Sequence, residues 1–312
     1  MELLKELKGR DFLSLADFTP VQLEYLIDFA KFLKQEKKAG KPIDFLKGKT
    51  LGMIFQKSST RTRVSFEAGI YYLGGVGLFL SANDLQIGRG EPIKDTARVL
   101  SRYLDGIMIR TYAHSQVEEL AEYADIPIIN GLTDLLHPVQ VLADLQTVIE
   151  HKGALKGLNL TYIGDGNNMA NSLINGGTKM GMNVVIACPK GYEPDADIVA
   201  NGYKFAQSSG GSLKITHSPA EGAAGADVLY TDVWASMGQE AEAEEKYQRF
   251  KGFCLDEKLL ALADKEAIVL HCLPAKRGLE ITDGVLESRQ SVVFDEAENR
   301  LWAQMAIMAS VM

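Results

Sequence analysis

Short apolar runs alternate along the chain with longer stretches in which apolar positions recur every three or four residues. The segment 19–40, TPVQLEYLIDFAKFLKQEKKAG, predicts a helix. Thr19 is its candidate N-cap, Pro20 fits the first helical position, and Gly40 follows a basic last turn. TLGMIFQ (50–56) is a short apolar run with a glycine, the signature of a buried strand, and GGVGLFLS (74–81) repeats it. A helix over 95–104, a strand over 106–112, a helix over 117–124 and a strand over 126–130 follow. The stretch 137–153 then reads as one helix, with Val141, Leu142, Leu145 and Val148 at helical spacing. After it the alternation restarts, with strands predicted over 158–166, 183–189, 212–218, 227–234 and 267–274. The segment 297–312 is an apolar-rich helix that could pack on either half. Strands alternating with helices argue for parallel βαβ units. The expectation is an α/β protein of two doubly wound parallel-sheet domains joined by interdomain helices.

Composition narrows the class. The 312 residues suit about two domains. The net charge is −8, so no global basic field exists to attract nucleic acid, although a local basic cluster could still hold a small anion. The three cysteines, Cys188, Cys254 and Cys272, show neither CxxC pairing nor metal-ligand spacing, and their odd number argues against a disulfide framework. Cys188 and Cys254 read as structural. The N-terminus lacks a basic-then-apolar leader and no apolar run is long enough to span a membrane. A cytoplasmic protein with no membrane partner is expected.

Several stretches carry chemistry. FQKSSTRTRVSFEAG (55–69) ends a strand and opens a helix, where unpaired N–H groups and the positive end of the dipole favour an anion. Ser58, Ser59, Thr60 and Thr62 add hydroxyl donors. Arg61 and Arg63 are two apart and cannot share a helix face, so only one is expected at the anion. The bland alternative is a capped helix with two surface arginines. The stretch has no GxxxxGK[ST], so a nucleotide is not implied. His137 and Gln140, in HPVQ, fall on one side of a first helical turn, as a carbonyl donor and an amide acceptor or as plain packing at a hinge. HCLP (271–274) ends a strand, where open α/β sheets bind ligands. Cys272 there is either functional or a small core hydrophobe; His271, adjacent on a strand, points to the other face, which weakens a Cys–His dyad. DVWASMG (232–238) offers Asp232 to an ammonium group, and the following QEAEAEEKYQRF reads as a solvated acidic helix. GDGNN (164–168) lacks GxGxxG; its Asn167 and Asn168 would suit a carboxylate or an amide. Arg110 ends a strand as an anion ligand or as a surface charge.

Taken together, STRTR at 59–63, HPVQ at 137–140 and HCLP at 271–274 resemble the aspartate/ornithine carbamoyltransferase family, in order and spacing over essentially the whole chain. DVWASMG and HCLP are similar to the ornithine-specific branch; the aspartate branch carries HPLP in place of HCLP. The resemblance implies transfer of the carbamoyl group from carbamoyl phosphate to L-ornithine, giving L-citrulline and phosphate, without metal or organic cofactor. It implies a carbamoyl-phosphate-binding domain over 1–136, with 297–312 packing back on it, a linking helix over 137–153 and an ornithine-binding domain over 154–296. It further implies a homotrimer or a multiple of trimers.

Carried over position by position, the pattern puts Ser59, Thr60, Arg61 and Thr62 around the phosphate with Arg110 beside it. Thr62, Arg110 and His137 would hold the carbonyl oxygen. Gln140 and the main chain of Leu273 would hold the carbamoyl amide, and Gln86 and Arg300 also match binding positions. Asn168, Asp232, Ser236 and Met237 would grip the amino-acid end of ornithine. Cys272 would sit by the δ-amine as an orienting group. Closure of the halves and of the 235–245 loop would exclude water. LWAQMA after Arg300 is more apolar than in many relatives, which bears on helix packing and assembly. Three rivals stand beside this reading: a carbamoyltransferase for putrescine or an acylated ornithine, a non-catalytic sensor of carbamoyl phosphate or an amino acid, and a nicotinamide-dependent dehydrogenase, which would need a GxGxxG after an early strand that the sequence lacks.

Overall fold

The computed structural model describes residues 2–235 and 243–312. Two compact units are present: Met1–Gln146 with Glu298–Met312, and Thr147–Ala297. The first holds strands β1 (Thr50–Phe55), β2 (Val76–Ser81), β3 (Gly106–Arg110) and β4 (Ile128–Leu132), all parallel, in the order β2-β1-β3-β4. Phe55 pairs with both Ser81 and Arg110, and Arg110 with Leu132, so the carboxyl ends of all four strands lie level. The winding reverses between β1 and β3. That reversal opens a crevice at the carboxyl edge, where ligands of open α/β sheets bind.

The second unit holds β5 (Asn159–Ile163), β6 (Asn183–Ala187), β7 (Ser212–Thr216), β8 (Val228–Thr231) and β9 (Ile268–His271), again parallel, in the order β7-β6-β5-β8-β9. Ile163 pairs with Ala187 and Thr231, and Thr231 with His271, which levels this rim too. Here the winding reverses between β5 and β8.

Local chemistry accounts for the elements. Thr19 and Gln22 form a reciprocal capping box at the start of helix Pro20–Lys38: Gln22 N donates to Thr19 Oγ1 (3.2 Å) and Thr19 N to Gln22 Oε1 (3.0 Å). Two long helices, Pro138–Lys152 and Val293–Val311, each begin in one unit and end in the other. No described helix is long and apolar enough to cross a membrane.

Three expectations need correction. GGVGLFLS is not a buried strand: β2 lies at the sheet edge, and Val76, Leu78 and Phe79 are 56%, 43% and 39% exposed. The runs over 158–166, 227–234 and 267–274 each leave the sheet three residues early, at Ile163, Thr231 and His271. Their apolar tails, such as Val233, Trp234 and Leu273, prolong the strand pattern in sequence while forming loops in space. The segment after DVWASMG, described from helix Ala243–Arg249 onward, is not wholly solvated, because Lys246 is buried.

Candidate functional site

In the first unit the helix Thr60–Tyr72 starts just beyond β1. Ser59 is its N-cap, accepting from Thr62 N at 3.1 Å, so the side chain of Thr62 is held at the opening turn. Thr62 is buried, and its hydroxyl oxygen collects two arginines: Arg300 Nη2 donates at 3.0 Å and Arg110 Nη1 at 3.5 Å. Arg300 Nη1 also donates to Gln140 Oε1 at 2.5 Å, and Gln140 Nε2 donates to Asp144 Oδ1 at 2.8 Å. The fold thus gathers Thr62, Arg110, Gln140 and Arg300, which are far apart in sequence, into one buried network at the β1/β3 crevice.

His137 belongs to the same surroundings. Its ring is buried, and burial, followed by the charges of Arg300 and Arg110, holds its pKa well below the ordinary value. The imidazole is therefore neutral near pH 7, a polar donor without a net charge. Among the described residues no carboxylate pairs with the Arg61 guanidinium, which is half-buried. Arg63 is committed elsewhere: it pairs with Glu67 at 3.5 Å and lies over the Phe79 ring, 3.7 Å from its centroid. Ser59, Thr60 and Arg63 line a cavity of about 600 Å³ together with Gln56, Lys57 and Ser58. Gln86 lies apart from the network, exposed on the short turn Gln86–Arg89.

Sequence reasoning passed over one residue here. Lys57, two residues beyond β1, has a side chain 4% exposed that forms an ion pair with Asp134 and lies over the Tyr112 ring, 4.3 Å from its centroid. Asp134 N in turn donates to Tyr112 O at 2.8 Å. The pair ties the turn between β1 and helix Thr60–Tyr72 to the loop that leads into His137. Its only sequence signal was a lysine inside FQKSST.

In the second unit the β5/β8 crevice carries the other cluster. Asn167 caps helix Asn168–Lys179, accepting from Met169 N at 2.9 Å, while Tyr162 Oη donates to it at 3.2 Å. Asn167 Nδ2 donates to Asp232 Oδ2 at 3.2 Å, so Asn167 touches Asp232 directly. Asn168, the neighbouring candidate, opens the helix and is buried. Cys272 Sγ donates to Asp232 Oδ1 at 3.1 Å.

His271 takes no part with Cys272. Leu273 N donates to His271 Nδ1 at 2.9 Å, which places the ring proton on Nε2, and Nε2 donates to buried Glu280 Oε1 at 3.1 Å. This arrangement pins the backbone of Leu273, whose φ of 54° is unfavourable for a branched side chain. Asp232, His271 and Cys272 offer donor atoms within 4.8 Å of one another, but both ring nitrogens of His271 are already engaged. Ser236 and Met237, with the rest of the segment 236–242, lie outside the described residues.

Comparison with known proteins agrees with both halves. Residues 10–150 match the family model for the carbamoyl-P binding domain of aspartate/ornithine carbamoyltransferases, and residues 156–311 match that for the Asp/Orn binding domain. The ornithine carbamoyltransferase of Oceanobacillus iheyensis is 58% identical, over 99% of this chain and 96% of its own length. That of Thermococcus kodakarensis is 57% identical, over 98% and 97%. The solved structure of the ornithine carbamoyltransferase from Pyrococcus furiosus superposes with a TM-score of 0.96 at 54% identity, covering 98% of each chain. Matching models over both units, together with relatives this similar along their full lengths, establish that the chain belongs to the aspartate/ornithine carbamoyltransferase family.

Proposed function

We infer that the chain transfers the carbamoyl group of carbamoyl phosphate to the δ-amine of L-ornithine, giving L-citrulline and phosphate. The observation that carries this reading is the buried Thr62–Arg110–Arg300–Gln140 network beside a neutral His137. It supplies two fixed cations and several donors where charge develops. Ser59, Thr60, Arg61 and Thr62 cradle the phosphate at the helix N-terminus, with Arg110 beside it and Gln86 as a further contact. The hydroxyl of Thr62, Arg110 and His137 hold the carbonyl oxygen. Attack by the amine places negative charge on that oxygen, and donors already in place stabilise it without reorganisation. Gln140 and the Leu273 main chain hold the carbamoyl NH₂, and Arg300 fixes Gln140.

Asp232, with Asn168, Ser236 and Met237, grips the amino-acid end of ornithine, and Cys272 orients the δ-nitrogen without forming a bond to it. The δ-nitrogen arrives as an ammonium and loses its first proton to solvent before it attacks. After C–N bond formation the C–O bond to phosphate breaks, and the departing phosphate accepts a second proton from the nitrogen. The chain works as a homotrimer in this reading, in the cytoplasm.

The test is direct. Purified protein with carbamoyl phosphate is offered L-ornithine, putrescine, L-aspartate and N-acetylornithine in parallel, and the carbamoylated product is identified. Citrulline from L-ornithine, lost in Arg61→Ala, is expected. Turnover with putrescine or N-acetylornithine alone would overturn the assignment of Asp232. Binding of carbamoyl phosphate without turnover of any acceptor would favour a sensor.

A further inference from the structure

At the mouth of β5, Lys246 Nζ meets Asp165 Oδ2 at 2.6 Å, with both side chains about nine-tenths buried. The partners come from different places: Asp165 opens the turn that carries Asn167, and Lys246 lies on helix Ala243–Arg249. The pair stands next to the chemistry already described. Asp165 and Asp232 lie close enough for their charges to act on one another, and the buried Tyr162, whose hydroxyl donates to Asn167, feels both. Burial pushes the Asp165 carboxyl up, and the hydrogen bond from Lys246 opposes that push.

The charges of this cluster sum simply. Among the described residues of this cluster two carboxylates and one ammonium leave one net negative charge, and no cation pairs with Asp232, which takes its bonds from neutral donors at Asn167, Val233 and Cys272. An incoming amino acid with a free α-ammonium supplies the one positive charge that is missing. We propose that Lys246 is a positioning residue for the second substrate: by neutralising Asp165 it leaves Asp232 as the single carboxylate that selects the α-ammonium group.

The consequence concerns the nucleophile. A second bare carboxylate in a buried pocket favours any nearby nitrogen as ammonium. With Lys246 gone, Asp165 competes with Asp232 for the α-ammonium or holds the δ-nitrogen protonated, and a protonated δ-nitrogen has no lone pair for attack. Removing Asp165 alone errs in the opposite way, leaving a buried ammonium that repels the substrate's own. Removing both returns the cluster to one negative charge. This inference rests on the proposed transfer to ornithine.

Its test is a double-mutant cycle, reading kcat/KM for L-ornithine at saturating carbamoyl phosphate in Lys246→Met, Asp165→Asn and the double variant, with thermal unfolding of each. Each single variant is expected to lose roughly tenfold or more, and the double variant to return to within about threefold of the parent. KM for carbamoyl phosphate should change by less than about twofold throughout. A purely structural pair would give a double variant no better than the worse single one, and that result overturns the proposal. So do single variants with unaltered kcat/KM. Where Lys246→Met alone does not fold, adding it to Asp165→Asn must still raise kcat/KM. A parent protein that binds carbamoyl phosphate yet never carbamoylates ornithine refutes the underlying function, and with it this inference. A competent parent without recovery refutes this inference alone.

Discussion

Thr62→Val removes one oxygen and keeps the shape of the side chain, at the point where two guanidinium groups converge. The bond from Arg300, at 3.0 Å, is of full strength; that from Arg110, at 3.5 Å, is at the limit of the range. One effective hydrogen bond to a charged group is thus lost, about 1.5–3 kcal/mol, with Arg300 left short of a partner in a buried place. In the native protein this should lower Tm by several degrees. The effect on rate is larger. If the hydroxyl also holds the carbonyl oxygen during attack, its removal takes away about 2.7–4 kcal/mol of transition-state stabilisation, or about 10²–10³ in kcat. Steady-state citrulline formation, with Thr62→Ser as the control that retains the hydroxyl, measures it. A Thr62→Val enzyme with kcat within about threefold of the parent, while Tm falls as expected, would show that the hydroxyl only organises arginines and never meets the reacting group.

Other consequences are equally open to measurement. His137 has a depressed pKa in the folded chain, so the unfolded chain binds its proton first as pH falls below about 6.5; stability is lost on that side, and His137→Gln should flatten the acid slope by up to about 1.4 kcal/mol per pH unit in denaturant titrations. An unchanged slope would mean the ring is not held neutral. Lys57→Met unties the anion turn from the Asp134 loop and should weaken carbamoyl phosphate binding in calorimetry about tenfold, with partial recovery in Lys57→Arg; equal affinities would reduce the pair to decoration. Gly166→Ala puts a Cβ within 2.3–2.5 Å of backbone atoms of Tyr192, Glu193 and Pro194, so the Asn167 turn must shift. It should cost about 1–3 kcal/mol and impair turnover of ornithine while carbamoyl phosphate still binds.

Much of this was visible in sequence because the sheets are parallel and regularly wound. Apolar runs located every strand, STRTR and HCLP marked strand ends, and HPVQ marked the start of a helix. What sequence could not supply was strand order, and with it the two reversals that bring Thr62 to Arg110 and Asn167 to Asp232. Helix Asn168–Lys179 escaped the pattern for a physical reason: it is buried from Asn168 to Thr178, so its interior holds Asn171, Ser172, Asn175 and Thr178 and no apolar stripe stands out. The buried ends of Lys57 and Lys246 were hidden likewise, because a lysine in a polar stretch looks solvated until its partner is placed. Most strand ends were read too late, since the residues that leave the ladder to aim Asp232 and Cys272 are flanked by apolar neighbours; β4 alone runs on past its expected end at 130, to Leu132.

The strip Glu298–Met312 belongs to the first unit. Arg300 anchors the Thr62–Gln140 network, Val311 O accepts from Gly9 N at 2.8 Å, and Met305 and Met308 lie against Gly69. On the ribosome this strip emerges only after all of Thr147–Ala297, a delay of roughly 8–30 s at common elongation rates. During that interval the earlier-made unit lacks both Arg300 and part of its core, while every residue of the later-made unit has been synthesised. A chain halted at 297 should accordingly be cut by protease within 1–146 and resist it within 147–297. Translation order therefore makes the Thr62–Arg300–Gln140 network a late assembly product, completed only after the second unit has been made.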